Sequence, residues 1–145
     1  LSDRGENNYT FHWGLYLQKA PKLGCIYHLI NDTGQTTWRF ESRPSHDVIY
    51  SQILRVAVKI GVIEPGLQQA FLERLQQIPI AYSTRFHENI ICRVWLKEAL
   101  FALDDEGYIQ LTQGLNDIEE ETRNTAIRNM SGGRKTIVRS KGTQA

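Results

Sequence analysis

The first eight residues are mostly polar and read as a disordered leader; from Tyr9 to Leu17 the chain turns dense in aromatic and β-prone residues, the composition of a strand. Ala20-Pro21-Lys22-Leu23-Gly24 is a turn, Cys25 to Ile30 a second strand, and Asn31-Asp32-Thr33-Gly34-Gln35 a hairpin loop, with side-chain acceptors and a glycine. Thr36 to Glu41 is a third strand, so three strands close in sequence predict an antiparallel meander. Residues 53–60 are rich in β-branched side chains and read as a further strand. Beyond it the apolar spacing changes from two to three and four. Glu64-Pro65-Gly66 opens a helix, with proline where its missing N–H does no harm, and Leu67, Ala70, Phe71, Leu75 and Ile78 share one face. Pro79 ends it.

After a loop over residues 80–88, Asn89 is the expected N-cap of the most hydrophobic helix, with Cys92, Leu96, Ala99 and Leu103 on one stripe. Asp104-Asp105-Glu106-Gly107 stops it, and Asn116 to Glu121 looks like the acid-rich start of another helix. Residues 131–145 read as a flexible basic tail. The pattern as a whole predicts a single α+β domain over residues 9–130, an antiparallel sheet packed on a central helix.

Composition narrows the function classes. The 145 residues suit one domain, and 41% apolar content is enough for a core without disulfides. The two cysteines, Cys25 and Cys92, match no zinc spacing, so neither metal nor cofactor is expected. A net charge of +1 gives no reason to expect nucleic acid, and no apolar run approaches a membrane span. The basic residues Arg134, Lys135, Arg139 and Lys141 have no interleaved aromatics to stack bases. The expected setting is cytoplasmic, with a small-molecule or peptide substrate and a homo-oligomer left open.

The chemistry centres on Cys92. A cysteine in the first turn of a helix sits among unpaired backbone N–H groups that favour the reactive thiolate, although a cysteine on a core stripe is more often a small apolar packing residue. His28 lies in the otherwise apolar run Cys25-Ile26-Tyr27-His28-Leu29-Ile30. If Ile26, His28 and Ile30 face the covering helix, His28 points toward Cys92 and forms the minimal unit of nucleophilic catalysis. On the next strand Glu41, or Thr37, would orient the imidazole. An Arg39–Glu41 surface pair is the competing use of that carboxylate. His12 and Trp13 could line the same cleft or simply pack, and His87 is a rival base or a lid residue. Tyr27, Trp38 and Trp95 complete an aromatic set that could hold a substrate.

On His12-Trp13, Gly24 with Tyr27-His28, Trp38 with Phe40-Glu41, Arg55-Val56, Pro79, and Cys92 with Trp95 and Ala99-Leu100, the chain resembles circularly permuted papain-like proteins. Lecithin retinol acyltransferase and the desumoylating isopeptidases are examples, and an uncharacterised family of small fungal proteins is more closely similar. The resemblance spans residues 11 to 103 and implies a thiol hydrolase or transferase acting on an amide, thioester or ester. Two features depart from it: Ile91 stands where such enzymes tend to carry asparagine, and the strand after His28 offers Thr37, Arg39 and Glu41 in place of a second histidine. The other reading is a pocket protein that binds or folds a small molecule, such as a biosynthetic cyclase-type enzyme without a covalent intermediate.

Overall fold

The computed structural model describes residues 1–3, 11–31, 37–46, 54–132 and 134–144. The expected first strand is broken at Trp13-Gly14 into β2 (Phe11–His12) and β3 (Leu15–Ala20), and β2 pairs antiparallel with the short β1 (Ser2–Asp3). Part of the predicted leader is therefore strand; residues 4–8 lie outside the described residues. β3, β4 (Leu23–Ile30) and β5 (Arg39–His46) form the antiparallel three-stranded meander. Gly24 is obligatory in it, because a Cβ there would collide with the Leu17 carbonyl and lie 2.6 Å from the Tyr16 ring.

A 3-10 turn at Pro65–Leu67 leads into α1 (Gln68–Gln76), and α2 (Cys92–Asp105) and α3 (Leu115–Gly132) follow. α2 is buried nearly all round, through Cys92, Val94, Trp95, Leu96, Ala99, Leu100, Ala102 and Leu103, and it is the central helix that the apolar pattern predicts. It ends in a glycine cap: Gly107 takes a φ of +82°, its N–H donates to the Asp104 carbonyl, and Tyr108 N–H reaches back to Leu103. The three-stranded sheet packs against the helices, which makes the protein α+β.

The last segment departs from the predicted loose tail. β7 (Thr136–Arg139) pairs parallel with β6 (Val56–Lys59), in the register Val56↔Thr136 to Lys59↔Arg139. Asn129 fastens this ladder from α3, donating to the Arg55 carbonyl and to Thr136 Oγ1, both at 2.8 Å. Among the described residues, no helix is long and apolar enough to cross a membrane.

Candidate functional site

Three strands bring three titratable side chains into one hydrogen-bonded array. The meander places His28 directly opposite Glu41, and His28 Nε2 lies 2.9 Å from Glu41 Oε1. Gly14, in the break between β2 and β3, abuts His28; a Cβ there would lie 3.1 Å from His28 Cβ, so glycine leaves the imidazole its room. On the far side of His28, its Nδ1 lies 2.7 Å from Nε2 of His12, the two rings meeting edge to face.

The bonding rules give the array a direction. A carboxylate can only accept, so His28 Nε2–H donates to Glu41. When His28 is neutral, its Nδ1 accepts and His12 donates Nε2–H to it. In that tautomer the unprotonated nitrogen of His12 is Nδ1. Glu41 is the orienting group that sequence chemistry favours for His28, and Thr37 precedes β5 as an exposed residue. The hydrogen bond from His28, joined by the nearby charges of His28, Arg43 and Arg39, holds the Glu41 carboxyl below its ordinary value despite some desolvation.

The expectation that Ile26, His28 and Ile30 face the covering helix is overturned. Tyr27 and Leu29 belong to the buried core, and Phe40, opposite Leu29, packs on Trp95 of α2 with ring centroids 5.6 Å apart. By strand alternation His28 and Glu41 occupy the other face.

Cys92 is the first residue of α2, buried, with Ile91 as an extended N-cap that makes no side-chain capping bond. The helix thus begins two residues later than an Asn89 cap predicts, and Cys92 sits at its very start. It belongs to the buried apolar cluster that also holds Phe11 and Trp13, the chain neighbours of His12, and packed against that cluster is Leu1. The next residue, Ser2, is the cross-strand partner of His12.

The predicted aromatic lining is mostly core. Trp13, Tyr27 and Trp95 are buried, and Trp38 packs against the same cluster. Tyr27 stacks edge to face on Phe71 at 5.7 Å, and burial, with Cys25 beside it, pushes its phenol up to about 12. His87 is exposed on the Ser83-to-Glu88 turn, with a φ of 55°. Two surface clefts of about 440 and 300 Å³ contain none of the predicted site residues. Among the described residues no group of three or more His, Cys, Asp or Glu is arranged to hold a metal.

The spacing of four between Glu119 and Arg123 marks them in the sequence as an i,i+4 pair, which forms; the wider charge network between α2 and α3 is not legible in that spacing. Glu119 accepts from Arg93 at 2.7 Å, Lys97 at 3.1 Å and Arg123 at 3.3 Å, while Arg93 also pairs with Glu88. Those contacts raise Arg93 above, and hold Glu88 below, their ordinary values, in each case chiefly through the Arg93–Glu88 hydrogen bond. Lys97, nearly buried, adds a bond to Asn116 and lies 4.4 Å from the centre of the Phe86 ring. Lysines one turn apart from arginines on an apolar helix could have signalled it. Every member is satisfied within the network, which reads as a helix-to-helix clamp.

A family model described as "Family of unknown function (DUF6540)" matches residues 2–110, which include β1 to β6, α1, α2 and the whole histidine array. No curated protein and no solved structure matches the chain.

Proposed function

We propose, from the premise that the chain belongs to this family of unknown function, that it is a cysteine-dependent hydrolase or acyl transferase acting on an amide, thioester or ester. Cys92 is the nucleophile in this reading and His12 the base, with His28 orienting His12 and Glu41 anchoring His28. The observation that carries it is the hydrogen-bonded row of Glu41, His28 and His12; with His28 neutral, His12 Nδ1 is the proton acceptor in this reading. The burial of Cys92 in one cluster with Phe11 and Trp13, which flank His12 in the chain, supports it, and a permuted papain-like arrangement accommodates it.

In the reaction, His12 Nδ1 takes the thiol proton as Sγ adds to the substrate carbonyl carbon. The oxyanion is met by backbone N–H groups at the start of α2. Collapse breaks the bond to the amine, thiol or alcohol, which leaves with the proton held by His12. Water or a second acceptor then attacks the acyl-cysteine, again deprotonated by His12, and the thiol is restored. The imidazolium formed on His12 is held by His28, whose own positive character Glu41 offsets.

A second reading rests on the face that His28 and Glu41 occupy, opposite α2. There the array does acid–base work on a bound small molecule with no covalent intermediate, and Cys92 is a core residue. The two readings separate on an activated ester such as p-nitrophenyl acetate, followed by mass spectrometry in a Cys25→Ser background. The first expects an acetyl adduct on Cys92, and turnover falling by at least about 10²-fold in both Cys92→Ala and His12→Ala. His87→Ala should behave as the parent. Turnover that survives Cys92→Ala but not His12→Ala replaces the first reading by the second, and turnover indifferent to both removes the array from the chemistry.

A further inference from the structure

We infer that the outer edge of β7 is a docking strand for an extended acidic peptide. In the parallel ladder the amides of alternate residues point the same way. Thr136 N–H donates to the Arg55 carbonyl at 3.1 Å and Ser140 N–H to the Lys59 carbonyl at 2.9 Å. The even-numbered amides therefore face β6, and those of Ile137 and Arg139 face away. Among the described residues no strand pairs with that side.

The strand is held firmly. Asn129 bonds Thr136 Oγ1 at its start, and Glu121 accepts from Ser140 Oγ at 3.0 Å and Lys141 N–H at 3.1 Å at its end. An edge so fixed is a ready template for one more strand. Ile137 and Val138, 52% and 43% exposed, place apolar surface on both faces of it.

Charge selects the occupant. Arg134, Lys135, Arg139 and Lys141 are all exposed, and residues 133–145 contain no acid. Basic side chains on an edge deter a strand of like charge and favour an acidic one. A second copy pairing β7 on β7 would set these cations against each other. Nucleic acid would find no aromatic side chain in the segment on which to stack. An extended peptide with alternating carboxylate and aliphatic residues satisfies the amides, the apolar flanks and the cations together.

The test uses the full chain and a labelled peptide of alternating Glu and Val, with a Lys-Val peptide as control. Fluorescence anisotropy should show binding of the acidic peptide, weakened at least about tenfold by Arg139→Glu. Amide exchange should slow at Ile137 and Arg139 on peptide addition and stay unchanged at Thr136 and Val138. Ile137→Pro, which removes an outward amide, should abolish binding while leaving the melting temperature near that of the parent. Equal binding of the Lys-Val peptide, or exchange at Ile137 and Arg139 that the acidic peptide does not slow, overturns the proposal. So does a dimer by light scattering that Ile137→Pro dissolves, or preferential binding of single-stranded oligonucleotide that Arg139→Glu removes.

Discussion

Glu41 ties the histidine array to solution pH. Its carboxyl is held below its ordinary value in the folded protein, chiefly by the hydrogen bond from His28. A group shifted down on folding contributes stability above its unfolded pKa and loses that contribution as pH falls through the folded one. The unfolding free energies of the parent and of Glu41→Gln should therefore differ at neutral pH and converge below the ordinary carboxylate range, as read by denaturant titration at a series of pH values. The pairing of His28 with Glu41 was legible because a lone imidazole in an apolar strand needs a partner and the neighbouring strand offers a carboxylate. The face was not legible. In Cys25-Ile26-Tyr27-His28-Leu29-Ile30 both alternating sets are largely apolar, so period-two reading cannot tell inside from outside. His12 was seen as a cleft residue, and its place at the end of the array follows from a strand register that composition does not contain.

At the scale of elements, α2 carries two kinds of interaction that should respond differently to mutation. Trp95 is fully buried against Phe40, so Trp95→Ala should cost about 3–5 kcal/mol through lost contacts and a cavity. Glu119 anchors three cations from the α3 side, with Arg93 and Lys97 largely buried. Glu119→Gln leaves those cations short of a counter-charge, and should destabilise by about 3 kcal/mol. Raised salt should leave the Trp95 effect unchanged and shrink the Glu119 effect moderately, which chemical denaturation with urea at two ionic strengths will show. The helices were readable because three-and-four spacing and the Asp-Asp-Glu-Gly stop are local signals. The start of α2 was not, since Ile91 caps it through backbone conformation alone, which leaves no polar signature in the sequence.

Across the whole molecule, the ladder between β6 and β7 joins segments on either side of all three helices. The family match stops at residue 110, yet the strand that pairs with β6 comes after α3. A chain cut after residue 110 should therefore leave β6 without its ladder partner and self-associate, as sedimentation velocity would report, whereas one cut after residue 144 should stay like the parent. The pairing was invisible to sequence reasoning because Thr-Ile-Val-Arg is too short and too basic to stand out from a tail. Its consequence lies in time as well as space. On the ribosome β6 leaves the exit tunnel long before β7 exists, and the loop to be closed between them spans most of the nascent chain. β6 must wait as an open edge through the synthesis of α1, α2 and α3, so this ladder closes after them, and the interval before it is a period in which a chaperone has an edge to shield.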